Sequence, residues 1–153
     1  MSEIYSLVYS PEHQQPADHY YRVPAQAVEL VAGHGIKGDV KGSQPERGLN
    51  IMTFETLQAL GTEGFMTQPG QMGEQITLRG LDVNTLAAGT RLQLGDSAVI
   101  EIIKPRTGCE RFEAIQGKLR SDAANRLGMM TSVVTGGAVS VGDPITVLET
   151  IGK

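Results

Sequence analysis

Glycine punctuates this sequence, and its placement limits the fold more than any other feature. The 153 residues include 19 glycines, which separate short apolar stretches. Short apolar segments bounded by turn residues are typical of β-rich domains. The alternation of strands with regular helices that builds a doubly wound parallel sheet is missing. We therefore expect one mainly β domain over residues 1–153, a barrel or sandwich with a few short helices attached.

The strand signals are distributed along the whole chain. Single strands are predicted at 4–9, 25–31, 48–53, 75–78 and 145–148, with a polar loop over 10–24. Two hairpins are predicted, one over 90–102 around Gly95 and Asp96, the other over 132–141 around Gly136 and Gly137. Glycine and aspartate tolerate the positive φ that tight hairpin turns require.

Helical signals are few. Phe54, Leu57 and Leu60 recur every three residues, Thr53 is suited to cap the helix start, and Gly61 is suited to end it. A second, modest helix is predicted within 110–127, broken near residue 117.

Composition and charge exclude several function classes. The net charge of −4 and the absence of tryptophan disfavour general nucleic-acid binding. No apolar run approaches the roughly 20 residues of a membrane span. The N-terminal residues lack the charged and apolar regions of a secretion signal, and the chain has one cysteine. We therefore expect no membrane partner and a cytoplasmic location.

That cysteine, Cys109, is the first candidate for chemistry. Lys104, Arg106 and Arg111 lie within five positions of it, and nearby positive charge favours the thiolate, which attacks electrophiles and binds soft metals. Pro105 and Gly108 indicate a loop, so the sulfur is expected to be reachable. The alternative is a small buried apolar residue, but buried cations need partners, which makes burial of this segment costly.

Basic residues continue beyond the cysteine. Residues 104–120 contain five basic and two acidic side chains, in a chain that is negative overall. Such a run is either a solvated face or an anion site beside the thiol, and its coincidence with Cys109 gives the second interpretation equal weight.

Other patterns carry weaker signals. The run from Gly33 to Gly38 matches G-x-G-x-x-G, but no helical period follows it, so we interpret it as a glycine-rich loop rather than a dinucleotide site. Asp39 is expected to bond backbone amides in a turn, or else to orient a basic side chain. The three histidines show no paired metal-ligand spacing, and only folding could bring His34 to Cys109.

Several motifs together resemble the MOSC domain, named for the C-terminal part of molybdenum-cofactor sulfurase. They run in the family's order over roughly 25–148. The matching segments are Gly35-Ile36-Lys37-Gly38-Asp39; Arg47 with Leu49-Asn50-Ile51; Gly70 to Leu78, which contains Gly73-Glu74; Gly80-Leu81-Asp82; Pro105-Arg106-Thr107-Gly108-Cys109; and the pairs Gly136-Gly137 and Gly142-Asp143. Departures from the usual pattern are Val40-Lys41, Gln75 and Gly108, where Arg-His, Asn and Pro are common.

The resemblance implies a β-barrel-like fold and a link to the molybdopterin-type molybdenum cofactor or to sulfur transfer. Cys109 would ligate molybdenum or carry sulfur as a persulfide, since a thiolate is a soft ligand. The cofactor carries a phosphate, which basic side chains would bind. The residues that would hold the cofactor are Lys104, Arg106, Arg111, Arg47, Asp39, Glu74 and Asn50.

Three functional hypotheses remain open on the sequence. The first is a stand-alone domain that binds the cofactor or carries sulfur, with a sulfur-donor protein as partner. The second is a cofactor-dependent reductase of N-hydroxylated compounds with a partner electron-transfer protein. The third is a non-catalytic module for a small anion or protein, in which Cys109 is incidental.

Overall fold

The protein is described by a computed structural model that covers residues 2–11, 22–39 and 49–149. Eleven strands are described, β1 to β11 in chain order: Glu3–Tyr9, Val23–Ala25, Ala27–Val31, Gly35–Ile36, Leu49–Thr53, Ile76–Arg79, Arg91–Leu94, Ala98–Pro105, Met129–Thr135, Gly137–Ser140 and Ile145–Glu149. Two α-helices are described, α1 over Phe54–Thr62 and α2 over Glu110–Gln116. The prediction of a mainly β domain is confirmed.

The strands form two sheets. Eight pair in the order β11-β7-β8-β9-β5-β6-β1-β2, and three pair in the order β10-β3-β4. The only parallel pair in the described sheets is β5 with β6, and α1 supplies the crossover that parallel strands need. The large sheet has open edges at β11 and β2, so closure into a barrel is not confirmed.

Two apolar clusters lie on opposite faces of β5. The first, between the sheets, includes Leu49 and Ile51 of β5 together with Leu30 and Val139 from the small sheet. The second lies under the helices and is formed by Met52, Leu57, Leu60, Phe65, Met72, Phe112, Ala123 and Leu127. Successive strand residues face opposite sides, so β5 contributes to both clusters and is buried throughout. The large sheet is therefore the middle of three layers.

Most predicted elements are found close to their predicted positions. The strand at residues 4–9, the hairpin of β7 and β8, the last strand and the α2 region are all present. In the predicted 10–24 loop, residues 12–21 lie outside the described residues, whereas Val23 and Pro24 belong to β2. β2 is an edge strand, where the missing N–H of Pro24 costs no ladder hydrogen bond.

The cap of α1 differs from the prediction in its chemistry. Thr53 occupies the N-cap position, but its side chain does not cap the helix. Its hydroxyl donates to the carbonyl oxygen of Leu81 at 2.7 Å and accepts from the amide of Val83 at 3.0 Å. Thr53 therefore ties β5 to the segment after β6, and the helix continues past Gly61 to Thr62.

The predicted hairpin around Gly136 and Gly137 is wrong. β9 pairs with β8 and β5, whereas β10 leaves the large sheet and pairs with β3. Neither glycine has positive φ. A Cβ at Gly136 would lie 2.6 Å from the Leu30 carbonyl oxygen, and one at Gly137 would lie 2.5 Å from the Ser97 hydroxyl. These glycines permit close approach between the sheets instead of forming a turn.

Candidate functional site

The side chain of Cys109 lies at the surface. The residue is exposed, has no disulfide partner, and occupies the N-cap position of α2 without a side-chain capping bond. The preceding Gly108 has a φ of +75°, and a Cβ there would lie 3.2 Å from Leu127 Cδ1 and 3.6 Å from Phe112 Cδ2. The predicted reachable loop is therefore present, and the alternative of a buried apolar cysteine is excluded.

A β-bulge determines where Lys104 points. In the pairing of β8 with β9, Ile102 lies opposite Thr131, but Lys104 lies opposite the next residue, Met130. Ile103 is therefore an extra residue, and it reverses the alternation of side chains beyond that point. Ile102 faces the core between the sheets, where it is fully buried, whereas Lys104 is exposed on the other face.

The same register places Asn50 in line with Lys104. Met130 lies opposite Asn50 on its other neighbour, β5. Directly opposed residues in a sheet share a face, so Asn50, Met130 and Lys104 form one row across three strands. At a strand spacing of about 4.8 Å, the Cα atoms of Asn50 and Lys104 are roughly 10 Å apart. This row, called here the Asn50 row, lies on the face of β5 that also bears Met52 and the helices.

Asn50 is buried but incompletely hydrogen-bonded. It is only 8% exposed, and its Nδ2 donates a long bond of 3.4 Å to the Gly73 carbonyl oxygen. Its Oδ1 has no hydrogen-bond partner in the described part of the chain. A buried polar atom without a partner is costly, which makes such an atom a candidate ligand contact.

Asp39 and Gln75 are buried and hydrogen-bonded to each other, and Gln75 connects them to Asn50. The Asp39 carboxylate accepts from the Ser10 amide at 2.8 Å and from Gln75 Nε2 at 2.9 Å. Gln75 Oε1 in turn accepts from the Asn50 amide at 2.7 Å. Asp39 therefore bonds a backbone amide distant in sequence, which the prediction of a bond within its own turn did not include. It holds loops together and is only 2% exposed.

Glu74 is also buried and hydrogen-bonded to backbone amides. Its two carboxylate oxygens accept from the amides of Gly70 at 3.0 Å and Met72 at 3.1 Å, and the side chain is fully buried. Burial raises the pKa of the Glu74 carboxyl, although these amides and the nearby charge of Arg106 act in the opposite direction. The predicted pocket-lining carboxylate thus stabilises the 70–74 turn.

Replacing Glu74 by glutamine should make stability less dependent on pH. A carboxyl whose pKa is raised by folding binds its proton more tightly in the folded state. Its contribution to stability is complete below the ordinary pKa of 4.5 and is lost as pH rises through the folded value. Urea unfolding between pH 4 and 8 should show wild type losing stability relative to Glu74→Gln as pH rises. Asp96→Asn, at an exposed turn, measures the effect of removing a surface carboxylate. If wild type instead gains stability relative to Glu74→Gln as pH rises, the raised pKa of Glu74 is contradicted.

The guanidinium of Arg106 links the thiol loop to its surroundings. It donates to the Met72 carbonyl oxygen at 3.0 Å and to the Leu127 carbonyl oxygen at 3.4 Å, and it is half-buried. Arg111 is also half-buried, in the first turn of α2. Arg47 lies outside the described residues. The predicted site residues that the structure describes thus fall into three places. Asn50 and Lys104 belong to the Asn50 row, Arg106 and Cys109 lie in the thiol loop, and Asp39 and Glu74 are buried carboxylates that bond backbone amides.

The other kinds of site considered from the sequence, a histidine paired with the thiol and a metal cluster, are not found beside Cys109 in the described residues. His34 lies in the turn between β3 and β4, where its amide donates to Val31. Within residues 2–11, 22–39 and 49–149, no group of three or more His, Cys, Asp or Glu could hold a metal ion. None of the described helices is long and apolar enough to cross a bilayer.

A wide cavity lies elsewhere. It has a volume of about 480 Å³, opens widely to solvent beside the start of α1, and contains none of the predicted site residues. Its one basic side chain, Arg126, is already bound by both carboxylate oxygens of Glu63, at 2.6 and 2.8 Å. The thiol loop and the Asn50 row are therefore better candidates for the functional site than this cavity.

Comparison with protein-family models decides the family. The model of the MOSC domain matches residues 38–146. The chain belongs to the MOSC domain family. The match includes the Asn50 row, Glu74 and the thiol loop, and the family is associated with the molybdenum cofactor. A search of curated proteins finds no significant match.

Solved structures with the MOSC fold resemble the chain closely in shape. The YuaD protein from Bacillus subtilis matches with a TM-score of 0.76 and 19% identity, over 95% of this chain and 94% of that one. YiiM from Escherichia coli matches with a TM-score of 0.75 and 19% identity, over 100% and 72%. YiiM from Geobacillus stearothermophilus matches with a TM-score of 0.74 and 15% identity, over 97% and 76%. At such identities the likeness establishes the fold alone.

Proposed function

We propose that this MOSC domain binds the molybdenum cofactor on the Asn50 row and that Cys109 is the protein's ligand to the metal. The observation that carries the proposal is the bulge at Ile103. It turns Lys104 onto the face that holds the buried, unpartnered Oδ1 of Asn50. A functional side chain aimed by a bulge is a common arrangement beside active sites.

The chemistry of these donors fits the cofactor. Molybdenum is bound by soft thiolate ligands, and Cys109 is an exposed thiol. The described residues lack a cluster of metal-binding side chains, so a metal here would have to come with its own organic ligands. Asn50 Oδ1 would accept a hydrogen bond from the pterin, and the exposed ammonium of Lys104 would bind the phosphate.

The remaining groups position these donors. Gln75 fixes the backbone of Asn50 by exchanging bonds of 2.7 and 2.9 Å with it. Arg106 joins the thiol loop to the 70–74 turn through the Met72 carbonyl. When bound, the molybdenum centre would supply electron-transfer or oxygen-atom chemistry, and the chain would bind and orient it.

Metal and pterin content test the proposal. The full chain, purified from a host that produces the cofactor, should contain about one molybdenum and one pterin per chain. Elemental analysis would give the metal, and fluorescence of the oxidised pterin would give the organic part. Preparations containing neither, from a host whose other molybdoenzymes are loaded, would contradict cofactor binding.

A sulfur-carrier function is the second candidate, because the thiol is exposed and makes no capping bond. In that function the Cys109 thiolate would attack the outer sulfur of a donor persulfide. A new sulfur–sulfur bond would form on Cys109 as the donor's bond breaks, and the donor would leave as a thiolate. Incubation with a persulfide donor should add the mass of one sulfur to the chain, and a reducing agent should remove it. An unchanged mass would exclude this candidate.

A further inference from the structure

The wide cavity beside the start of α1 has the size and the lining of a ligand site. Its volume of about 480 Å³ lies within the range of roughly 300–1,000 Å³ that is typical of small-molecule pockets. Its walls come from the first turns of α1, the segment after β6, and Arg126. Ala59 and Leu81 supply apolar surface, and Glu55 and Asp82 supply carboxylates. The cavity therefore combines apolar surface with negative charge.

The two carboxylates are the unbalanced charges of this cavity. In the part of the chain that the structure describes, neither Glu55 nor Asp82 pairs with a basic side chain. The one basic residue of the described lining is Arg126, whose guanidinium is bound by both oxygens of Glu63 and also donates to the Asp122 carbonyl oxygen at 2.6 Å. The pair of Arg126 and Glu63 is neutral as a whole, so the two carboxylates leave the cavity negative.

Each carboxylate is held in place through one of its oxygens. Glu55 Oε1 accepts from the Gly80 amide at 3.2 Å. Asp82 Oδ1 accepts from the amide and from the side-chain Nδ2 of Asn84, each at 3.0 Å. Among the described residues, no donor reaches Glu55 Oε2 or Asp82 Oδ2. A cation in the cavity would thus find two acceptors whose side chains are already positioned, which lowers the entropy cost of binding.

An organic cation suits these groups better than a metal ion does. Calcium takes about six to eight oxygen ligands, and the described residues contain no group of three or more His, Cys, Asp or Glu that could hold a metal ion. An ammonium or guanidinium needs only acceptors for its N–H groups, and its aliphatic stem packs on apolar surface. Ala59 and Leu81 supply that surface beside the carboxylates.

One segment separates this cavity from the thiol loop. Arg126 lines the wide cavity, whereas its neighbours Asn125 and Leu127 line a smaller cavity together with Arg106 and Thr107. A ligand in the wide cavity would therefore lie near the thiol loop but be held by other residues.

We propose that the wide cavity binds an alkylammonium or alkylguanidinium group through Glu55 and Asp82. Its wide opening to solvent suits a group at the end of a longer molecule, the rest of which stays outside. Two sources share this chemistry, a small amine and a lysine or arginine side chain of a partner protein. Binding requires neither Cys109 nor a cofactor, so this site is additional to the proposed function.

The experiment is a titration of the full chain followed by NMR of its amide groups, at neutral pH and constant ionic strength. The probes are n-butylamine and n-butylguanidine, which are cations at that pH, with butanol as the neutral probe and sodium chloride as the reference salt. Saturable shifts are expected for amides of 53–59, 80–84 and 126. A capped Gly-Lys-Gly tripeptide distinguishes the two sources. Tighter binding of the tripeptide would identify a side chain of a partner protein, and tighter binding of butylamine would identify a small amine; both results support the proposal.

Neutral substitutions test the two carboxylates. Glu55→Gln and Asp82→Asn should each weaken binding about threefold to tenfold, because a charged acceptor is replaced by a neutral one at an exposed position. Each keeps an oxygen for its bonds to Gly80 or Asn84, so the fold should be retained. The double variant should show no saturable binding.

Asp96→Asn is the matched control, because it removes one exposed carboxylate that does not line the cavity. Its affinity for the cations should equal wild type. Shifts that do not saturate, that butanol or sodium chloride reproduces, or that survive the double substitution would overturn the proposal. Molybdenum and pterin content does not enter this test, so the cation site and the proposed function can each fail alone.

Discussion

Gly128→Ala is expected to lower the free energy of unfolding by about 2–5 kcal/mol, because two costs coincide at this residue. Its φ is +78°, which a residue with a Cβ adopts only at a cost. A Cβ there would lie 2.0 Å from the carbonyl oxygen of Ile51, a buried backbone atom of β5 that cannot move aside. Urea unfolding measured by circular dichroism gives the difference.

The effect should extend to the site. The Gly128 amide donates to Asn84 at 3.1 Å, and its carbonyl accepts from the Arg106 amide at 3.0 Å. A side chain that pushes this segment from β5 would therefore displace the thiol loop. Reduced cofactor content in the folded fraction of this variant is the expected functional readout.

Gly117→Ala is the matched control for this variant. Its φ of +68° is similarly left-handed, but a Cβ there would meet nothing within 4 Å. Only the backbone cost of about 1–2 kcal/mol should appear. If the two variants lose equal stability, the close approach of Gly128 to β5 is not what requires glycine.

Cys109→Ser is expected to lower the molybdenum and the pterin content together, at least tenfold. The substitution replaces a soft sulfur ligand by a hard hydroxyl of similar shape, so the cofactor loses its bond to the protein. Because the metal is held by the cofactor's own organic ligands, it should be lost with the pterin and not separately. Elemental analysis and pterin fluorescence on the same sample measure both.

Thr107→Ser serves as the control in the same loop. It alters an exposed side chain two residues from the thiol and leaves the sulfur in place, so metal content should match wild type. Equal molybdenum in Cys109→Ser and wild type would exclude Cys109 as the metal ligand. Loss of molybdenum with the pterin retained would contradict the idea that the metal is held by the cofactor's own organic ligands.

The sequence predicts local features of this fold better than its long-range pairing. The β7–β8 hairpin follows from Gly95 and Asp96 because turn chemistry is local. The pair Gly136-Gly137 looks similar, yet it separates strands of two different sheets. A glycine either forms a turn or allows another backbone segment to approach closely, and which of the two occurs depends on its tertiary neighbours. For Gly136 that neighbour is Leu30, over a hundred residues earlier in the sequence.

The candidate site shows the same division. Cys109 and its cations are adjacent in sequence, so the loop was predictable. The alignment of Lys104 with Asn50 depends on one extra residue in β8, which no residue pattern signals. Arg120, Ser121 and Asn125 line a small cavity with the thiol loop, and this contact was not predicted because it depends on the packing of the 120–127 segment. Asp39 and Glu74 were predicted to line a pocket, but carboxylates that hold loops and carboxylates that bind ligands look alike in sequence.

Protection of the thiol tests the central claim most directly. The chain has one cysteine, so any alkylation by iodoacetamide at neutral pH reports on Cys109 alone. Protein loaded with the molybdenum cofactor should be alkylated at least tenfold more slowly than the cofactor-free protein, because the sulfur would be bound to the metal. Mass spectrometry over time gives both rates. Equal rates in samples with full molybdenum occupancy would contradict the assignment of Cys109 as the metal ligand.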